Sequence, residues 1–163
     1  MAEQQAQGNG DADNERRFSL EKIYIKDLSF EVPNAPSIYN DEQSESKIDM
    51  NLKNAHTVVA EDLFEITLSI SLHAKDGDRT IFMIEVEQAG QFLIHGFSET
   101  ELRQLVSTTC PSTLFPYARE AISATIGRGG FPAILLQPIN FEALFATANA
   151  DQSLQPANAD SLN

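Results

Sequence analysis

The chain has 163 residues, of which 42% are hydrophobic, and a formal net charge of −13. Its length suits one domain with a core of its own, and its apolar fraction predicts a folded chain. The negative charge disfavours nucleic acids and anionic membrane surfaces as partners, because both would be repelled. It favours basic segments of other proteins as partners.

Cysteine usage and the terminal sequences bear on the compartment. Cys110 is the single cysteine, so an internal disulfide is excluded and a reducing compartment is indicated. The polar N-terminal stretch lacks the apolar region of a secretory signal, and no apolar run reaches the length of a membrane span. We therefore expect a cytoplasmic protein without direct membrane insertion.

The composition divides the chain into three parts. Residues 1–17 and 147–163 are rich in Gln, Asn, Asp and Ala, and we expect both to be disordered tails. The intervening domain, 18–146, contains 18 acidic and 9 basic residues. The domain itself is therefore acidic, whatever the tails do.

Four segments with a period of two predict β-strands at Ser19–Glu31, Ser46–Leu52, Leu63–Lys75 and Thr80–Ala89. Strict alternation is typical of a sheet with one buried face and one hydrated face. Asp76-Gly77 predicts a hairpin turn between the third and fourth strands, so the sheet should be mainly antiparallel. The long segment with two prolines between the first two strands predicts an extended crossover.

Acidic side chains recur at the outward positions of these strands. Strict alternation in the first strand puts Asp27, Ser29 and Glu31 on one face, but it puts Ile23 and Ile25 there too. Simple hydration of the face is one interpretation, and a docking face for a basic partner is the other. The acids assigned to this face are Asp27, Glu31, Asp49, Glu65, Glu85 and Glu87.

The pattern becomes helical after Gly96. Ser98 followed by Glu101 is typical of a capping box, which predicts a helix over 98–109. A second helix is predicted over 111–130, with Pro116 in its first turn and glycines at its end. An extended apolar piece, a break at Pro138 and a short helix beginning near Asn140 follow. The order of elements predicts an α+β fold.

Two sets of apolar residues exceed what a single small core needs. The second helix has more apolar and small positions than one buried stripe requires, so it should pack on the sheet and on another subunit. We place Ala118, Ala121 and Ile122 at that subunit interface. The crossover and the last helix carry further apolar residues, which are either core or the lining of a groove for extended peptides: Ile38, Tyr39, Phe141, Leu144 and Phe145.

No pattern in the sequence indicates catalysis, a cofactor or a metal. His56 with Glu61 and Asp62 resembles a polar loop more than a metal site, and Cys110 is best explained as a structural thiol. The glycines at 127–130 follow a helix and lack the Lys-Ser/Thr ending of a phosphate loop. We expect neither an enzyme nor a cofactor-binding protein.

Three blocks resemble the SecB family of bacterial protein-export chaperones. They are YIKDLSFEVPNAP (Tyr24–Pro36), TLFPYAREAI (Thr113–Ile122) and FPAILLQPINFEALF (Phe131–Phe145), and the likeness extends over 18–146. The resemblance implies a four-stranded antiparallel sheet with helices packed on one face. It also implies a cytoplasmic homotetramer, a dimer of dimers, that binds unfolded precursor proteins without ATP and delivers them to the SecA motor ATPase. A general holdase for cytosolic clients without motor docking is the alternative.

The resemblance also implies roles for individual residues. The family's positions for docking the basic, zinc-bearing C-terminal tail of SecA fall on Asp27, Glu31, Met83 and Glu85, and the zinc belongs to the partner. The family's client groove is lined by the crossover and the terminal helix. This points to the same five residues, Ile38, Tyr39, Phe141, Leu144 and Phe145, that the apolar surplus singles out.

Overall fold

The structure, a computed structural model, describes residues 15–42 and 46–153, with side chains described through residue 151. A short 3₁₀ turn at Ser37–Tyr39 interrupts the crossover. The strands are β1 (Arg17–Glu31), β2 (Ser46–Ala60), β3 (Leu63–Asp76) and β4 (Arg79–His95), and the helices are α1 (Glu99–Ser107), α2 (Thr109–Arg128) and α3 (Phe141–Ser153).

The four strands form one antiparallel sheet in the order β1-β4-β3-β2, which makes β1 and β2 the edges. The predicted turn at Asp76-Gly77 joins β3 to β4, and Gly77 has a φ of +58°, which favours glycine. β2 runs eight residues further than its apolar alternation predicted. The predicted polar loop around His56 is therefore wrong, because His56 pairs with Ile66 of β3 and the chain turns only at Glu61-Asp62.

The core lies between the sheet and the helices. The predicted inward residues of β3 and β4, such as Leu68, Ile70 and Val86, are fully buried. One stripe of α2 covers them, because Leu114, Ala118, Ile122 and Ile126 recur at intervals of four residues. Gly90 of β4 permits this close packing, since a Cβ atom there would lie 2.9 Å from Cδ2 of Leu114.

The helices begin and end on recognisable signals. Ser98 caps α1 and accepts a hydrogen bond from the amide of Glu101, whose carboxylate accepts one from the amide of Ser98, which confirms the capping box. α2 begins two residues earlier than predicted, so Pro116 lies inside the helix, not in its first turn. Asn140 caps α3 through a 3.0 Å hydrogen bond from the amide of Ala143.

The tails are only partly described. α3 continues to Ser153, past the predicted start of the C-terminal tail at 147. Residues 1–14 and 154–163 of the predicted tails lie outside the described residues. Within the described ranges, none of the helices combines the length and the apolar character that crossing a membrane requires.

Candidate functional site

The outward face of the sheet carries three cross-strand rows of polar side chains at one end of the strands. Residues directly opposite one another on neighbouring strands share a face and have Cβ atoms about 5 Å apart. The rows run from β1 through β4 and β3 to β2 and contain Asp27, Glu87, Ser69 and Lys53; Ser29, Glu85, Ser71 and Asn51; and Glu31, Met83, His73 and Asp49.

Two β-bulges in β1 decide which of its residues belong to these rows. The register shifts between Leu20 and Lys22 and between Ile25 and Asp27, so Glu21 and Lys26 are extra residues without a direct partner. Each bulge moves the alternation by one residue. Ile23 and Ile25 therefore oppose the inward positions of β4, whereas Asp27 opposes the outward Glu87. Strict alternation wrongly placed Ile23 and Ile25 with the acids.

The rows enclose a shallow cavity of about 420 Å³. Three of the four residues assigned to SecA docking by resemblance, Glu31, Met83 and Glu85, line it. Asp27 lies in the adjoining row, opposite Glu87. The structure thus brings all four predicted residues onto one face.

The charges on this end of the face are mostly unneutralised. Within residues 15–42 and 46–153, no hydrogen bond or ion pair engages the carboxylates of Asp27, Glu31 and Glu85. Asp49 has Lys75 as a neighbour at 3.4 Å, in an exposed pair that contributes little. The arrangement therefore presents a negative field, with Met83 as an apolar contact, to whatever approaches the sheet.

Glu65, which the sequence placed among the acids of the outward face, is already engaged. Its Oε1 accepts a 2.6 Å hydrogen bond from Lys26 Nζ, and its Oε2 accepts one from the Tyr24 hydroxyl. The Lys26 ammonium, and then the Tyr24 hydroxyl, hold the pKa of Glu65 below its usual value. Burial, and then the same hydrogen bond to Glu65, raises the pKa of Tyr24 to about 12. We call these three residues the β1–β3 clamp.

The crossover between β1 and β2 is fastened to the core. Ile38 is only 1% exposed and belongs to the hydrophobic core. Tyr39 is 48% exposed, stacks on Phe131 with ring centroids 5.2 Å apart, and donates a 2.8 Å hydrogen bond to the carbonyl of Gly129. Of the two predicted client-binding residues here, Tyr39 is thus the accessible one.

The predicted client-binding residues of α3 also differ in exposure. Phe141 is 4% exposed and meets the edge of Phe115, with ring centroids 6.2 Å apart. Leu144 is half exposed, and Phe145 is half-buried. Phe141 therefore anchors the helix, while Leu144 and Phe145 offer apolar surface.

The residues assigned to the subunit interface face the sheet of their own protomer. Ala118, Ala121 and Ile122 are all on the buried side of α2. The other side of α2 carries the exposed Tyr117 and borders a shallow groove of about 500 Å³ with Leu135 on its far wall. The two-sided character of the helix was predicted, but the sides were not distinguished.

Sequence reasoning missed apolar residues left uncovered at both edges of the sheet. Ile25 and Leu28 of β1, and Ile48 and Met50 of β2, are each 43–50% exposed although they occupy inward positions. The helices cover the middle strands and stop short of the edges. Local sequence patterns do not identify these positions, because they do not indicate which strands lie at the edges of the sheet.

The described part of the chain offers no group of three or more His, Cys, Asp or Glu side chains that could hold a metal ion. Burial raises the pKa of the Cys110 thiol to about 12, which makes it a poor nucleophile.

Comparison with known proteins agrees with this geometry. The model of the family described as preprotein translocase subunit SecB matches residues 11–152. The chain belongs to the SecB family. Family membership confirms the α+β chaperone fold and the role in protein export that the sequence predicted.

Individual SecB relatives are similar along most of their length. The protein-export protein SecB of Nitrosococcus oceani is 44% identical over 88% of this chain and 87% of its own. That of Chromobacterium violaceum is 46% identical over 83% of this chain and 90% of its own. A SecB-like chaperone of Mycobacterium tuberculosis, solved with a peptide of the HigA1 antitoxin, has a TM-score of 0.64 at 22% identity and covers 76% of this chain and 91% of its own, which supports the fold.

The β1–β3 clamp should contribute to stability only while Glu65 is ionised. A folded-state pKa below the usual 4.5 means that this contribution is present above pH 4.5 and is lost as the pH falls through the folded value. We expect Glu65→Gln to lower the free energy of unfolding by about 1 kcal/mol at pH 7. Denaturant unfolding should show the difference shrinking below pH 4.5. Glu61→Gln, an exposed control, should change little, and a pH-independent loss would contradict this account.

Proposed function

We propose that this chain is a non-enzymatic, ATP-independent chaperone of the cytoplasm that binds unfolded precursor proteins and delivers them to the SecA motor. The observation that carries the proposal is the outward cavity, in which Glu31, Met83 and Glu85 meet beside Asp27. Carboxylates without internal partners suit the basic, zinc-bearing tail of SecA, and Met83 adds a contact that salt does not screen. The metal of that complex belongs to the partner.

Clients would bind elsewhere, on the apolar surface formed by the crossover and α3. Tyr39, Leu144 and Phe145 provide accessible apolar area there, while Ile38 and Phe141 hold the two segments to the core. Contacts of this kind accept many sequences, because burial of apolar area needs no fixed pattern of hydrogen bonds. The separation of the two surfaces lets one protomer hold a client and the motor tail together.

We propose further that the protein is a homotetramer built as a dimer of dimers. The exposed side of α2, with Tyr117 and the groove toward Leu135, supplies one apolar surface. The uncovered residues at the sheet edge, Ile25 and Leu28, supply another. Exposed apolar patches of this kind are typical of surfaces that a partner covers.

We expect each of the three docking carboxylates to contribute separately to binding of the SecA tail. Asp27→Asn, Glu31→Gln and Glu85→Gln should each weaken binding of a SecA tail peptide severalfold, mainly by slowing association, because exposed charges steer encounter. The loss should fade as salt is raised, which stopped-flow fluorescence at several ionic strengths will measure.

Glu61→Gln removes the same charge from the β2–β3 turn and should leave tail binding unchanged. Capture of an unfolded client should be intact in all four variants. A chain that captures clients but binds no tail peptide would be a general holdase, which is the alternative function.

Client capture should depend on the exposed residues, not on the buried ones. Tyr39→Ala combined with Leu144→Ala should weaken holding of an unfolded precursor about fivefold to twentyfold, since each side chain is half exposed before it is covered. Tyr39→Phe keeps the ring and should hold clients almost as well. Suppression of client aggregation is the measurement, with thermal unfolding to show an intact fold.

Phe141→Ala tests the distinction between anchor and contact. It should destabilise the protomer by about 3 kcal/mol, because it leaves a cavity beside Phe115. Undiminished capture by the Tyr39/Leu144 double variant would show that the groove lies elsewhere.

Assembly should be disturbed from the exposed side of α2. Tyr117→Arg would place an unpaired charge in the proposed interface and should convert tetramers to dimers, as measured by light scattering. Thr100→Arg, on the exposed surface of α1, is the matched control and should remain tetrameric. Ala121 is unsuitable for this test because it lies in the protomer core. A tetramer that survives Tyr117→Arg would place the interface on another surface.

A further inference from the structure

The outward face carries Lys53 in the row of Asp27 and a second cation, Lys26, whose position is set by the second bulge of β1. Lys26 is the extra residue between Ile25 and Asp27, so Lys26 and Asp27 are consecutive yet both reach the outward face. The Lys26 ammonium lies 2.6 Å from Oε1 of Glu65. This hydrogen bond to Glu65, and after it the negative charge of Glu87 in the row of Asp27, raises the pKa of Lys26.

Beyond Lys26 the next carboxylate of the outward face, Glu65, is already engaged within the chain. Both oxygens of Glu65 accept hydrogen bonds from within the chain. Tyr24 reaches Glu65 from β1 across β4, and Ala89, directly opposite Tyr24, has no exposed area. The small side chain of Ala89 lets the Tyr24 ring lie across the intervening strand.

We infer that the β1–β3 clamp is a specificity-determining element, in which Lys26 ends the docking surface for basic segments at the row of Asp27 and Glu87. This inference rests on the proposed docking function. A basic segment that passes this row finds Glu65 already paired with the Lys26 ammonium and gains no attraction from it. It can use Glu65 only by displacing Lys26. The segment is thereby directed toward the cavity and the rows of Glu85 and Glu31.

We therefore expect basic peptides to bind more tightly when the charged side chain of Lys26 is replaced. Lys26→Met removes the internal cation that pairs with Glu65, keeps an unbranched side chain on the bulge and frees one oxygen of Glu65 for the partner. A synthetic Lys/Arg-rich peptide should bind this variant roughly two- to fivefold more tightly at physiological salt, the range expected for an exposed ion pair. Titration calorimetry or fluorescence anisotropy of the labelled peptide measures the change. A merely structural role for Lys26 would weaken binding instead.

Two control variants distinguish the effect of the pairing between Lys26 and Glu65 from the effect of total charge. Lys22→Met removes the same charge from the same strand, at the row of Gln91. Among the described residues no carboxylate forms an ion pair with Lys22, so its removal frees none for the partner and binding should change much less. Lys26→Arg keeps the charge and should bind as the parent does.

The set of residues that the bound peptide contacts provides an independent test. In the parent, amide shifts in NMR spectra should change in the rows of Asp27, Glu85 and Glu31 but not at Glu65 and Gln91. In Lys26→Met the changes should extend to Glu65. Unchanged or weaker binding by Lys26→Met, or an equal gain in Lys22→Met, overturns the inference while docking stands. A parent that binds no basic peptide overturns the proposed docking and this inference with it.

Discussion

A strand of this sheet can bury only one of its faces, and β1 meets this constraint through its two bulges. Its apolar residues, Phe18, Leu20, Ile23, Ile25, Leu28 and Phe30, are separated by two, three, two, three and two positions. A regular strand would turn two of the six, Ile23 and Ile25, toward water. An extra residue in each interval of three, Glu21 and then Lys26, turns all six to the inward face.

The orientation of the acids follows from this. Once Leu28 and Phe30 point inward, Asp27, Ser29 and Glu31 must point outward, opposite Glu87, Glu85 and Met83 of β4. Packing of Leu20, Ile23 and Phe30 against the core thereby decides which side chains of β1 point outward, because hydrophobic packing contributes more free energy than exposed charges do. The acid face is in this sense a consequence of how the core of β1 is packed.

In the proposed function, the two faces of one sheet keep two binding activities apart. The inward face is covered mainly by α2, and exposed apolar side chains remain at the sheet edges, on the crossover and on α3. Among the described residues no helix lies over the outward face, and its rows of Asp27, Ser29 and Glu31 are polar apart from Met83. A partner attracted by charge and a client attracted by apolar area would, under this proposal, meet different surfaces of the same protomer.

The sequence by itself determined the strands, the β3–β4 turn, the capping box and the inward residues of β3 and β4, because each is a local pattern of two to four residues. It determined the family as well, through three long blocks. Tertiary structure decided the sheet order, which leaves Ile48 and Met50 exposed at an edge although their alternation matches that of buried strands. It decided that Ile38 and Phe141 are anchors while Tyr39 and Leu144 are surface, a difference that composition does not encode. It also decided that Glu65 is neutralised, because Tyr24 and Lys26 are about forty residues away in sequence and reach it only across β4. Burial and pairing depend on which elements become neighbours, and that is a property of the whole chain.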